Sequence, residues 1–386
     1  MKGVAYLRPV HLSSLKLANF KNYERLALQL SPRLNCFTGL NGMGKTNVLD
    51  AVHFLCLCKS HTGLNDKHLV RHGESFFRLE GTFQRTTDND QQTTNIVAKY
   101  PLGQRKEIER DRVPFTRLTD YIGQFPVVMI APDDVTLVQD GSEDRRRFLD
   151  ATLSQISPGY LQNLLTYNAL LRQRNALLKK FAEEKTFDAA LLESIDRQMP
   201  APAQGLFEQR RHFTAAFLPL FREFYAAISA GREMVDVRYE ADLEEKGLID
   251  LFRQNTEKDR LLQRTAAGPH RDDLALYMDG QQVKKFASQG QLKSFLLALR
   301  LAQYEVLRLE KGFAPILLLD DIFDKLDEQR VRQLIGLLIG RDFGQIFVTD
   351  TQRERVDDII ASFTGDYKIF EIENGRVKGG GLGIGD

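Results

Sequence analysis

Gly39-Leu40-Asn41-Gly42-Met43-Gly44-Lys45-Thr46 is a glycine-rich stretch that ends in a cation and a hydroxyl. Glycines at 39, 42 and 44 let the backbone turn until successive N–H groups face inward, a cradle for phosphate oxygens. Lys45 would serve the β and γ phosphates, and Thr46 would offer its hydroxyl to Mg2+. A helix starting near Lys45 would add the positive end of its dipole, with Asn47 beside the nucleotide. The chemistry expected here is ATP binding.

A second element is Ile316-Leu317-Leu318-Leu319-Asp320-Asp321. An unbroken apolar run reads as a strand buried on both faces. A carboxylate at its end, Asp320, is the expected Mg2+ ligand, and Asp321 the expected general base for the attacking water. Aspartate is one methylene shorter than glutamate, so slow hydrolysis is expected; the bland alternative makes both residues caps for the next turn. A third element, Ser288-Gln289-Gly290-Gln291, opens a helical run and would give a second phosphate-sensing surface, although an ordinary helix cap also explains it.

These elements need a frame. The strand pattern dominates from Leu12 to about Phe125, with Leu34 to Thr38 running into the glycine loop and a hairpin from Phe77-Phe83 and Ile96-Tyr100. An amphipathic helix is expected after the loop, from Val48, Leu49, Val52, Leu55 and Cys56. From Ser142 to about Asp196 and from Leu206 to Ile228 the spacing predicts helices, separated by Pro200-Ala201-Pro202. Strand signals return after Gly268, most clearly at Ile316 to Leu319 and Gln345 to Thr349, and the residues from Gly379 onward read as a loose tail. The expected architecture is α/β: a mixed-sheet ATPase domain, residues 1–135 and 265–386, interrupted by a helical insertion, residues 136–264.

The 386 residues carry a net charge of +1, so any polyanion site must be a local patch. Cys36, Cys56 and Cys58 lack the second pair that a zinc site needs and read as buried thiols of a reducing compartment. No apolar run approaches the roughly 18 residues that span a bilayer, and no signal peptide is evident, which points to the cytoplasm.

The order of glycine loop, long insertion, Ser288-Gln291 and paired aspartates resembles the ATPase heads of the ABC class, including SMC proteins. In that class two heads sandwich two ATP molecules, which implies an ATP-dependent homodimer. Further segments narrow the resemblance: Leu17-Ala18-Asn19-Phe20-Lys21-Asn22-Tyr23, Asn47 after the threonine, Ala131-Pro132-Asp133-Asp134, Arg145-Arg146-Arg147-Phe148-Leu149-Asp150 and Gly268-Pro269-His270-Arg271-Asp272-Asp273-Leu274. Together they resemble the RecF family of bacterial recombination mediators. The resemblance implies an ATP-dependent protein of DNA repair and replication, with a place in the SOS response. It also implies binding of double-stranded DNA and of single-strand/double-strand junctions, with RecR as partner and RecO and RecA in the pathway.

This sequence departs from the pattern in places. Asp324 and Lys325 stand where a small residue and an acid are usual, while Asp327 is retained. No histidine occupies the switch position after the strand ending at Thr349; Asp350 and Thr351 follow instead. Pro132-Asp133 falls at the Q-loop place without a glutamine, and Lys21 and Asn22 are expected near the nucleotide.

DNA phosphates call for cations, and the insertion supplies Arg145, Arg146, Arg147, Arg172, Arg174, Lys179, Lys180, Arg210 and Arg211. Solvated pairing with nearby acids explains the same cluster, and arginines 145–147 could instead bridge two lobes. For His270 and Arg271 the plain reading is a turn with Arg271 paired to Asp272 or Asp273. Two rival functions share the loop: an ABC-type transporter ATPase subunit, and a kinase or nuclease for which Asp242, Glu244 and Glu245 are the dense acidic candidates.

Overall fold

The computed structural model describes residues 10–86, 91–323, 328–341, 343–361 and 365–378. The chain divides into two compact units, residues 1–134, 227–230 and 297–386 in the first and residues 135–226 and 231–296 in the second.

The first unit carries two six-stranded sheets. One is antiparallel, built around Val10–Phe20 and the long hairpin Phe76–Thr86/Gln91–Pro101. Its alternating burial, as in Val10, Leu12, Leu15 and Leu17, is the period-two signature of a sheet with one covered face. The other sheet runs in the order Arg376–Lys378, Tyr367–Glu373, Leu34–Thr38, Ile346–Asp350, Ile316–Leu319, Val127–Ile130. Leu34–Thr38 lies parallel between two neighbours, and Ile316–Leu319 likewise. Both are buried along their whole length, which is why neither alternates.

Buried Gln345 ties the two sheets. Its amide donates to the carbonyls of Leu12 (2.8 Å) and Ser31 (2.7 Å), and its Oε1 accepts from the Leu12 N–H (2.7 Å). The helix Lys45–Leu57 is covered on nearly every side, with every residue from Val48 to Leu57 buried. The expected amphipathic helix is therefore a core helix. Its polar members Asp50 and His53 find partners outside the helix, Asp50 in Lys21, Ser60 and the His61 N–H, and His53 in the Lys59 carbonyl.

The second unit holds the helices Ser142–Ile156, Pro158–Glu184, Ala189–Asp196, Pro200–Ser229 (to residue 226) and Leu248–Leu262. Ser157 caps the second of these by accepting the Tyr160 N–H at 3.1 Å. Pro200 starts its helix rather than interrupting one, since a first-turn residue needs no N–H. Phe213, Phe217, Phe221 and Tyr225 recur every fourth residue and form one buried aromatic row.

The unit also contains a three-stranded antiparallel sheet that the helical reading of the insertion did not anticipate: Gln281–Gln282, Asp273–Met278 and Val235–Glu240. Pairing of Asp273–Met278 with Val235–Glu240 draws residues 265–296 into this unit. The compact division thus departs from the expected boundary at 264, and Ser288-Gln291 belongs to the second unit.

Candidate nucleotide site and its family

The glycine loop leaves the strand Leu34–Thr38 and enters the helix Lys45–Leu57, as its spacing requires. Gly44 has φ +113°, and a Cβ there would meet the Asn22 side chain at 2.5 Å. Gly39 has φ +143°, and its Cβ would strike the Ile372 carbonyl oxygen at 2.3 Å. Only glycine fits either place.

Lys45 is buried, and its Nζ donates to the carbonyls of Gly39 (2.7 Å) and Leu40 (3.2 Å). The loop is also braced from outside. Asn22 Nδ2 donates to the Met43 carbonyl (3.1 Å), Asn22 Oδ1 accepts from Asn47 Nδ2 (2.7 Å), and Tyr23 Oη donates to the Gly44 carbonyl (3.0 Å). The Gly375 N–H reaches the Met43 carbonyl at 3.0 Å. Lys21 lies one step further out, paired with Asp50 at 2.7 Å. Burial opposes the charge of Asp50, but Lys21 and the Ser60 hydroxyl outweigh it and leave the pKa below the usual carboxylate value. Leu40, at the loop tip, is 73% exposed.

The end of the apolar strand lies beside the loop. Thr46 Oγ1 donates to Asp320 Oδ1 at 2.9 Å, and Thr349 Oγ1 donates to the same oxygen at 2.7 Å. Burial pushes Asp320 up, against these two hydrogen bonds. Asp321 has φ +43°, and its N–H donates to Thr349 Oγ1 at 2.8 Å. A hydroxyl and a carboxylate at this separation are hard oxygen donors, the set that suits Mg2+.

Asp133, the residue favoured at the Q-loop place, is exposed; its neighbour Asp134 is the one turned inward. Asp134 pairs with Arg300 (3.0 Å) and His61 (3.1 Å). Burial works against its ionisation, yet Arg300 and His61 hold its pKa down to about 2. Sequence reasoning missed Tyr23, His61, Arg300 and Thr349. Thr349 carried a detectable signal, a hydroxyl closing an apolar strand, and Tyr23 ended the segment from Leu17 to Tyr23 without being assigned to the site; His61 carried none. Asp324, Lys325 and Asp327 lie outside the described residues, as does the tail from Gly379.

In the second unit, Ser288 and Gln291 cap the helix Gln289–Lys311 reciprocally. The Ser288 N–H donates to Gln291 Oε1 (2.8 Å) and the Gln291 N–H to Ser288 Oγ (3.3 Å), while Gln291 Nε2 reaches Glu233 (2.9 Å). Ser288 and Gln289 are exposed and Gly290 half-buried. The capping reading is therefore correct as local structure, and it leaves the serine at the surface.

The basic cluster of the insertion divides sharply. Arg174 is 1% exposed and pairs with Asp259 (2.6 Å) and Asp196 (2.7 Å). Arg210, at 2% exposure, pairs with Asp150 (2.8 Å) and Asp272 (2.9 Å). Arg145 grips Asp273 through two bonds of 2.7 and 2.9 Å. These three are not available to DNA, because their acid partners already surround them. Arg145 and Arg146 reach Asp273 and the Asp272 carbonyl, tying the insertion to the segment that begins at 265, and both sides of that tie fall within the second compact unit. Arg147, Lys179 and Lys180 are exposed and pair with Glu143, Glu183 and Glu184 on their own helices. Arg172 and Arg211 are also exposed.

Asp272 and Asp273 are taken by Arg210 and Arg145, so Arg271 pairs with neither and stands exposed. His270 is a structural residue: Nε2 donates to the Thr265 carbonyl (3.0 Å) and Nδ1 accepts from Tyr167 Oη (2.8 Å). That neutral tautomer fits a pKa lowered to about 4, mainly by burial. Asp242 to Glu244 form a short 3-10 turn, and among the described residues no acidic or histidine group of three could hold a metal ion. No described helix is long and apolar enough to cross a membrane.

The RecF/RecN/SMC N-terminal domain family matches residues 11–376. A DNA replication and repair protein RecF from Flavobacterium johnsoniae is 42% identical over 363 residues, 94% of this chain and 100% of that relative. The chain belongs to the RecF family. Its RecF relative from Phocaeicola vulgatus is 41% identical over 367 residues, 95% of this chain and 97% of the relative. Among solved structures, the recombination mediator protein RecF with ATP in the RecFOR pathway superposes with a TM-score of 0.84 at 27% identity, over 97% of this chain and 100% of that one. An Smc head domain from Pyrococcus furiosus matches with a TM-score of 0.56 at 17% identity, covering 97% and 96%, which speaks to fold alone. The fold is the ABC-type ATPase head of SMC kind, with a mixed α/β lobe and a mainly helical one. RecF membership leaves the transporter reading without support.

Proposed function

We propose that this RecF-family chain binds and slowly hydrolyses ATP, and that ATP closes two copies around double-stranded DNA. One observation carries the nucleotide part: Thr46 of the loop and Asp320 of the apolar strand share a hydrogen bond of 2.9 Å. A phosphate cradle and a carboxylate pair thereby stand side by side, the arrangement phosphoryl chemistry uses. The solved RecF named with ATP supports the choice of nucleotide.

In this reading the loop N–H groups and Lys45 hold the β and γ phosphates. Lys45 exchanges two neutral carbonyls for an anion, a gain in hydrogen-bond strength. Thr46 and Asp320 would hold Mg2+, which would neutralise charge building on the phosphates. Asp321 accepts the proton of the attacking water. Ser288-Gln291 of one copy faces the nucleotide of the other, so neither copy completes the pocket.

DNA follows from the relatives, which are named for replication and repair. The exposed cations Arg147, Arg172, Lys179, Lys180, Arg211 and Arg271 are the candidates left to meet phosphates once the buried arginines are removed. We further propose that junctions of single and double strand are the target and that RecR is the direct partner, with RecO and RecA in the pathway.

Sedimentation of the protein with and without ATP, in the presence and absence of duplex DNA, tests the reading. A shift from one copy to two that requires ATP and is lost in Ser288→Ala is expected. Full ATP turnover by a strictly single copy would defeat the shared pocket.

A further inference from the structure

Thr349 stands where two strands of the first unit end together. Ile346–Asp350 runs parallel to Ile316–Leu319, with Val348 opposite Leu319, which sets Thr349 beside Asp320. The side chain is fully buried. A hydroxyl has one hydrogen to give. Thr349 gives it to Asp320 Oδ1 at 2.7 Å and takes the Asp321 N–H at 2.8 Å on the same oxygen.

Both bonds bear on function. Thr46 and Thr349 each donate to Asp320 Oδ1, so both bonds fix the carboxylate through one oxygen and neither uses the other. Asp321 holds φ +43°, a strained region for a residue with a Cβ. The hydrogen bond from its backbone N–H to Thr349 Oγ1 holds that turn, and the turn sets the direction in which the Asp321 side chain leaves the backbone.

The neighbouring residue does other work. Asp350 ends the strand at the place where many ABC proteins carry the switch histidine. Its carboxylate accepts the Gln352 N–H (2.8 Å) and pairs with Arg355 (3.2 Å), which commits it to the start of the helix Arg353–Ala361.

We propose that Thr349 is a positioning residue for hydrolysis: one hydroxyl orients the metal-binding carboxylate of Asp320 and the backbone turn that aims Asp321. The proposal rests on the roles given above to those two aspartates. A buried threonine that only satisfies strand-end polar groups is the competing account.

Calorimetric titration with ATP, with and without Mg2+, together with steady-state hydrolysis, separates the two on Thr349→Val, Thr349→Ala and Thr349→Ser. In Thr349→Val and Thr349→Ala we expect ATP affinity without Mg2+ within about twofold of the parent, as the loop is untouched. The gain in affinity that Mg2+ brings should shrink roughly 10-fold, and kcat should fall roughly 100-fold, the scale of a lost charge-assisted hydrogen bond and a misaimed base. Thr349→Ser should restore both.

A normal Mg2+ gain in the folded Val or Ala variant overturns the proposal, and so does a serine variant as impaired as they are. Asp321→Asn with undiminished turnover would instead sink the role of Asp321 as base. The Mg2+ effect on binding would still decide the Asp320 half.

Discussion

Buried cations serve opposite ends in the two units. In the first, Lys45 donates to two main-chain carbonyls of its own loop, at 2.7 and 3.2 Å. Neutral partners are given up cheaply when an anion arrives. In the second, Arg174 and Arg210 are each held by two carboxylates, and the Arg174 guanidinium also lies 4.1 Å from the Phe252 ring centre. A charge so paired cannot be released without stranding its partners in a medium that punishes them. In the proposed reading one unit keeps an exchangeable cation for a ligand; the other commits its buried cations to holding helices and sheet together.

The contrast can be broken in several places, beginning with the largest effect. Arg174→Ala should destabilise by about 3–5 kcal/mol, because buried Asp259 loses its partner. Denaturant unfolding would measure it, and ATP affinity in the folded variant should not change. A loss below about 1 kcal/mol would mean the network is not structural.

Lys45→Ala is the mirror case. ATP affinity should drop on the order of 100-fold, about 2.7 kcal/mol, while unfolding without nucleotide moves by less than about 1 kcal/mol. Equal damage to stability would erase the distinction between the units.

His270 sharpens the comparison through pH. Its folded pKa of about 4 lies below the ordinary 6.5. Between those values the unfolded chain binds a proton that the folded chain refuses, so the stabilisation is complete above pH 6.5 and fades as pH falls toward 4. Thermal melts of His270→Asn against the parent should show a profile flatter by about 3 kcal/mol over that window. The subtraction removes the similar contribution of His53, which burial also lowers, to about 3. Identical slopes would contradict the neutral, doubly bonded imidazole.

The smallest effect on stability belongs to the exposed cations. Joint replacement of Arg172, Lys179 and Lys180 by Ala should cost under about 0.5 kcal/mol, since surface pairs contribute little. If these side chains meet DNA phosphates, the slope of log affinity against log salt should fall by about one for each phosphate left without its cation. An unchanged slope would move the DNA surface elsewhere.

Much of the first unit was legible without coordinates. Leu34 to Thr38, the glycine loop and Ile316 to Leu319 are local patterns, and the structure keeps them within a residue or so of expectation. The helix after the loop was legible as a helix but not as a buried one, because its polar residues Asp50 and His53 imitate an outer face. Partners from other segments hide them: Lys21 and Ser60 take Asp50, and the Lys59 carbonyl takes His53. The second unit was harder. Strand signals were expected to return after Gly268, where Asp273–Met278 lies, but its partner Val235–Glu240 sits inside the stretch read as helical, and pairing across such a distance leaves no local mark.

What this chain's residues determined unaided is the chemistry that depends on neighbours in sequence: a turn only glycines can make, a lysine and a threonine at its end, and a carboxylate pair closing an apolar strand. Backbone geometry over eight residues is enough for that. Tertiary structure decided which of nine candidate cations are free to meet a ligand, since Asp259, Asp272 and Asp273 reach Arg174, Arg210 and Arg145 only after the chain has folded. It also decided that Thr349 joins the two aspartates, because a hydroxyl finds its partners by position in a sheet and not by its place in the chain.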